Sequence, residues 1–378
     1  MAKFRIVVAG GGIAGLEAIL ALRGLAGRRI DLTLVCPGEE FSLRALEVAE
    51  PFREDPTLTL SIETVLSGLD VQRIEDTVIR VAPESREVVL PGGGALGYDG
   101  LLLAVGGVPF PAYAHGITFD RPRDPEAFDE LLADVDGGLA SDVAFVVPDA
   151  QGWTLPAYEL AFLLRGWARR RRIDVGIRVV TAEDAPLQMF GATAAAEVDA
   201  ALGRAEIMLV AGSSSVVFSD TALVAGGHWV SADRIVSMPR LAGPRLAGVP
   251  SDWEGFIEVD DDGAVPGCAA TYAVGDGAAH AQKQGGLAAQ QADRAARLLL
   301  ADAGINVPAL DGPPILRGVL ATPEGPLFLQ SAAAWGAPGT GSLASYTPLW
   351  HPPSKVVTRW LGPHLDELVR RRHGAFAA

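Results

Sequence analysis

The chain has 378 residues, 49% of them apolar and 20% charged, with a formal net charge of −15. That length exceeds one ordinary core and points to two domains plus an appendage, in a composition typical of globular proteins. The negative balance excludes nucleic acid as a partner, because phosphate backbones select basic surfaces. Two cysteines, Cys36 and Cys268, exclude a disulfide framework and a cysteine-based zinc site, and no metal is expected. No run of about 18 uninterrupted apolar residues reads as a membrane span. The first strand starts close to Met1 with no signal peptide ahead of it, so a cytoplasmic location is expected.

In chain order, residues 4–9 form a continuous apolar run, as a buried parallel strand does. A glycine turn follows, then an apolar-rich helix over 13–25 and a second strand over 30–35. This is a βαβ unit. Residues 78–81 and 87–90 flank turn residues as a hairpin, and 101–105 is a buried strand. A second α/β pattern begins at Asp142, with strands at 143–147, 177–181 and 207–210 and helices at 156–169 and 192–203. A strand at 272–274 and a helix at 286–303 follow. The tail from Asp311 is rich in Pro, Gly and Trp. From Ser354 it reads as amphipathic, with Val356, Val357, Trp360 and Leu361 on one helical face.

The strongest chemical signal is Gly10-Gly11-Gly12-Ile13-Ala14-Gly15, a G-x-G-x-x-G turn between a strand and a helix. Gly10 permits the tight turn, Gly12 lets a pyrophosphate approach the backbone, and Gly15 lets the helix pack on the strand. Amides of Ile13 and Ala14 at the helix start suit the phosphates. The acidic residue that usually ends the second strand is replaced by Cys36, followed by Pro37. Glu39 or Glu40 stands in from the loop, or backbone and water hold the ribose.

Two further blocks are Ala104-Val105-Gly106-Gly107-Val108-Pro109 and Thr271-Tyr272-Ala273-Val274-Gly275-Asp276-Gly277. With the glycine turn, and in this order, they resemble the two-dinucleotide-binding flavoproteins, the pyridine nucleotide–disulfide oxidoreductase superfamily. The resemblance implies two Rossmann-like FAD/NAD(P)-binding domains of α/β class, the second inserted in the first. Residues 1–115 and 260–310 would bind FAD, 116–259 would be NAD(P)-binding-like, and 311–378 would be an appendage. It also implies that Ala104, Val105, Gly106 and Arg44 lie beside the flavin and that Gly275 and Asp276 hold its ribityl or pyrophosphate oxygens. A helix N-cap is the plainer role for Asp276. Lys283, Gly286, Leu287 and Ala288 would bring a helix N-terminus to the flavin's pyrimidine side. The run Ala289-Gln290-Gln291 resembles type II NADH:quinone oxidoreductases, and Lys283-Gln284-Gly285 resembles sulfide:quinone oxidoreductases.

The departures bear on function. Neither cysteine belongs at the reactive ring, so thiol chemistry is not expected. The second domain's loop, Pro148 to Glu159, has no glycine fingerprint. Asp149 would repel a pyrophosphate and Trp153 fills space, which leaves NAD(P)H use open. Glu159 is placed near the flavin's outer face or on the helix surface, and His280, alone among the histidines, near the flavin block or in a solvent-facing loop. The run Arg169 to Arg172 suits the negative end of its helix. The expected function is transfer of two electrons from a small donor through non-covalent FAD to a small acceptor such as a quinone. A flavin-bound sensor or assembly protein without turnover is the competing class. The terminal segment is expected to dock on the inner face of the membrane, on its own protein, or on a second copy.

Overall fold

A computed structural model describes residues 3–52, 59–120, 122–148, 152–332 and 341–375. Its first sheet is parallel, in the order Thr271–Ala273, Gly100–Leu103, Phe4–Ala9, Ile30–Val35, Gln72–Ile74. Apolar side chains bury both faces, as uninterrupted strands demand. One face packs on helices Ile13–Ala26 and Gly285–Asp302 through Ile6, Val8, Leu16, Ile19, Ala292 and Leu299. The other is covered by Val81, Val88, Tyr98, Leu246 and Ile257.

The second sheet is also parallel, in the order Ile117–Thr118, Arg234–Ser237, Asp142–Val147, Gly176–Thr181, Ile207–Val210. Helix Leu155–Arg171 packs across it. The polypeptide thus enters the second α/β layer from the first and returns to it, consistent with two Rossmann-like units. Segment 240–259, expected with the second unit, sits with the first. Strand Arg240–Ala242 pairs with Val108–Phe110, and Leu246 and Ile257 enter the first unit's core.

Three features differ from the sequence reading. Residues 215–231 form a three-stranded antiparallel meander that no expectation included. The tail contains a second antiparallel sheet, Ile315–Thr322, Gly325–Ala332 and Leu343–Ser345. Its inner residues Leu316, Leu320, Leu327 and Leu329 join the second unit's core. Residues 354–360 are not helical, and the terminal helix is Leu361–Ala375. The apolar residues read as one helical face are distributed otherwise: Trp360 lies over Gly24, and Val356 lies against Gly285. The terminal helix packs on its own protein, with Leu361 buried and His364 bonded to the Val65 carbonyl. Among the described residues no helix is long and apolar enough to cross a membrane.

Candidate functional site

The glycine turn creates a cradle that side chains would fill. Gly10 has φ +112°, and a Cβ there would stand 2.1 Å from the Ala104 carbonyl oxygen. A Cβ on Gly15 would stand 1.8 Å from the Gly10 oxygen, so the helix can approach the strand only without one. Gly12 is different, because it is exposed and nothing lies within 4 Å of its would-be Cβ. The helix starting at Ile13 has no side-chain cap. Its first-turn amides, those of Ile13 and Ala14 among them, therefore face open space with the positive end of the helix behind them. That is the chemistry of a phosphate site.

Cys36 is buried, with its Sγ only 3.1 Å from the would-be Cβ of Gly11, and it backs the glycine turn. Glu39 and Glu40 are exposed on the lip beyond it. Arg73 reaches the same end of the groove, donating to the Gly38 carbonyl at 2.8 Å and pairing with Glu63 at 3.1 Å.

The third block supplies the facing wall. Gly275 and Gly106 adopt φ +72° and +71°, and a Cβ on Gly277 would stand 2.9 Å from the Gly106 oxygen. Ala14 and Ala288 lie on either side of Gly275, their Cβ atoms 3.5 and 3.4 Å from its would-be Cβ. Val105 touches Gly277 in the same way, and the Ala104 amide continues the sheet to Ala9. Among the described residues the Asp276 carboxylate makes no hydrogen bond or ion pair. Burial pushes its pKa up, against the pull of Lys283 and Arg44. Arg44 is exposed. The N-cap role considered for Asp276 falls to Gln284, whose Oε1 accepts the Leu287 amide at 2.7 Å. The Leu287 amide is engaged by Gln284 and its side chain sits in the second unit's core. Gly286, beside Gln284, leaves room at the helix start.

Lys283 donates to the Ala278 carbonyl and lies 3.8 Å over the Phe256 ring. Burial pulls its pKa down to about 8. Below that pH its charge supports negative charge gathering at the helix start; above it the support is lost. Turnover should fall through a limb near pH 8, and Lys283→Met should lack that limb. A pH profile identical in the two proteins would remove Lys283 from this role.

The second unit's corresponding position is filled by its own side chains. Glu183, just beyond strand Gly176–Thr181, is fully buried and accepts from Tyr158 at 2.7 Å and from Thr154 and Thr181 at 3.1 Å. It is the strand-end carboxylate a nucleotide ribose would use, and the sequence reading missed it. The Trp153 and Phe190 rings meet edge to face at 5.9 Å. Pro148 ends the strand region and Pro156 occupies the helix's first turn. Asp149 lies outside the described residues.

Glu159, on helix Leu155–Arg171, is not on the helix surface. It is buried, pairs with Lys355 at 2.5 Å, and accepts from the Ala321 amide. Gln290 clamps the Ile315 backbone through both amide atoms, and Gln291 accepts the Gly275 amide, so both glutamines are structural. His280 is buried rather than solvent-facing, and burial lowers its pKa to about 4. The run Arg169 to Arg172 stays at its helix end, Arg169 near Glu206 and Arg171 over Trp167. Cys268 packs with the first unit's outer core and its thiol pKa is raised by burial. Among the described residues no metal-binding group is found.

The residues present fit FAD, an extended dinucleotide with a pyrophosphate for the uncapped helix start and ribityl hydroxyls for Asp276. The architecture defines a protein with two dinucleotide-binding α/β units, one of them with an open phosphate cradle. The pyridine nucleotide-disulphide oxidoreductase family matches residues 4–296, so the chain belongs to that family and is an oxidoreductase. The fold is similar to sulfide:quinone oxidoreductase from Aquifex aeolicus, at 19% identity and TM-score 0.80, over 91% of this chain and 87% of that one. It is also similar to a ferredoxin reductase from Rhodopseudomonas palustris, at 17% identity and TM-score 0.67, over 88% and 83%. A NAD-dependent persulfide reductase from A. fulgidus matches at 18% identity and TM-score 0.61, over 88% of this chain and 64% of that one. Among curated proteins none matches.

Proposed function

We propose that the protein takes two electrons from a small donor onto a non-covalently held FAD and delivers them to a small acceptor, a quinone being the favoured class, without a redox-active cysteine. One observation carries this reading: the open Gly12 position lies at an uncapped helix start whose Ala14 packs against Gly275, next in the chain to a carboxylate, Asp276, that no side chain satisfies. FAD, when bound, supplies the two-electron chemistry. The chain's part is to hold and tune it. Arg44 and Lys283 bring positive charge to Asp276, and the Gly285–Gly286 helix start adds its dipole. The Lys355–Glu159 ion pair lies in a buried place close to that helix start, since Val356 touches Gly285. Cys36 behind the glycine turn and Cys268 in the outer core support a reaction without thiols. Similarity to a sulfide:quinone oxidoreductase over most of the chain supports the acceptor class. Contact with an anionic membrane surface through the terminal segment belongs to the same reading, and pelleting with anionic vesicles tests it.

Anaerobic mixing of the yellow protein with sulfide, NADH or NADPH, followed by a short-chain ubiquinone, tests the whole reading. A donor should bleach the visible flavin band and the quinone should restore it. If no donor bleaches it, the protein is a flavin-bound sensor or assembly partner instead. In a second measurement, Asp276→Ala should release FAD on gel filtration, while Cys36→Ser and Cys268→Ser keep turnover within about two-fold, since a buried thiol acts mainly as a small apolar group. A serine variant that keeps FAD and loses turnover would overturn the thiol-free mechanism.

A further inference from the structure

The tail crosses the site in a way that neither the family match nor the motifs specify. Between the cis-Pro352 turn and the terminal helix, residues 355–360 form a non-helical strap. At Val356 the strap touches Gly285, the first residue of one site helix. The Val356 Cγ1 lies 3.5 Å and the Ile13 Cδ1 2.8 Å from the would-be Gly285 Cβ. Ile13 is the first residue of the other site helix. Farther along, the strap lines a cavity of about 230 Å³ whose walls include Glu17, Val274, Gln291, Val357 and Thr358. Val274 and Gln291 are the immediate neighbours of Gly275, the first through the chain and the second through its amide.

Both ends of the strap are fastened inside the protein. At the start, Lys355 pairs with Glu159 and donates to the Ala45 carbonyl at 3.2 Å. At the far end stands Glu17, fully buried on the helix that begins at the glycine cradle. One Glu17 oxygen accepts the Arg359 and Trp360 amides at 2.7 and 3.0 Å, and the other accepts the Leu361 amide at 2.6 Å. Beside it Asp293 accepts from the Trp360 indole at 3.2 Å and lies 3.7 Å from the Arg359 guanidinium. The Trp360 ring rests on Gly24, where a Cβ would be 2.4 Å from it. A carboxylate is expensive to bury without partners, and here its hydrogen-bond donors are the backbone amides of the strap and of Leu361, where the terminal helix begins.

We propose that residues 355–360 are the element that retains the cofactor and that Glu17 is the positioning residue that latches it. This rests on the reading that the cradle holds FAD. FAD enters and leaves when the strap lifts from the Gly285 helix start, which Ile13 of the other helix also touches, so weakening the latch speeds its release. Two variants test this from opposite sides. Glu17→Gln removes the charge and points an amide donor at backbone donors. Arg359→Pro removes one donor from the strap and leaves the Rossmann helix intact. FAD release after dilution, followed by the rise in free-flavin fluorescence, should be at least ten-fold faster in both. Trypsin should remove the terminal segment sooner, and saturating FAD should restore the bound-flavin spectrum. If both variants show faster trypsin removal but wild-type FAD release, or if neither changes in either measurement, the strap does not retain the cofactor. If one variant fails to fold, the other decides alone. Wild-type protein that carries and binds no FAD overturns the underlying cofactor reading, and the strap proposal with it.

Discussion

Gly12→Val should give a folded protein that no longer holds FAD. The expectation rests on the contrast among the three glycines. At Gly10 and Gly15 an added Cβ would strike backbone at 2.1 and 1.8 Å, so substitutions there disturb the sheet–helix junction itself. At Gly12 nothing lies within 4 Å of an added Cβ, so a side chain starts into open space where the phosphates belong. Two lost hydrogen bonds to a charged group, at about 1.5–3 kcal/mol each, weaken binding by roughly 10²–10⁴-fold. Titration of FAD into the apo-protein measures this, with circular dichroism confirming the fold. Wild-type affinity in the Gly12→Val protein would place the cofactor elsewhere.

NADH and NADPH should reduce the flavin slowly and with weak saturation. A nucleotide entering the second unit needs amides at a helix start and a carboxylate for its ribose. There the helix start carries Pro156, which has no amide hydrogen, and Thr154 is already bonded to Glu183. Glu183 is saturated by three hydroxyl donors, and Trp153 with Phe190 fills the adjoining space. Loss of two charged-group hydrogen bonds takes a micromolar site to roughly millimolar or weaker. Stopped-flow bleaching settles the point. Full reduction within milliseconds at micromolar NADH or NADPH would make nicotinamide the donor and require the second unit to rearrange.

Both expectations depend on the same division between local and distant information. The glycine turn was legible in the sequence because its requirements are local. A positive φ at Gly10 and backbone contacts at Gly15 allow only hydrogen as a side chain, and the chemical consequence follows from the residue itself. The parallel strands were legible because burial on two faces leaves continuous apolar runs, and the helices between them kept their expected places to within two residues. Family resemblance then added Asp276 and Lys283, which spacing alone would not single out.

The remaining site residues were decided by partners far along the chain. Glu17 looks like a lone acid on an apolar helix, and its donors lie more than 340 residues away. Glu159 looks like one more helix carboxylate until Lys355 reaches it across 196 positions. The apolar spacing from Val356 to Leu361 fits a helix, yet the strap satisfies it by dropping Val356 and Trp360 into gaps left by Gly285 and Gly24. Sequence by itself determined the backbone geometry of the cradle and the places of the buried parallel strands, because steric exclusion and burial act on each residue where it stands. Tertiary structure alone decided which buried charges are neutralised, because a carboxylate's partner is set by what the fold brings within about 3 Å, and that distance carries no trace in the spacing of the residues.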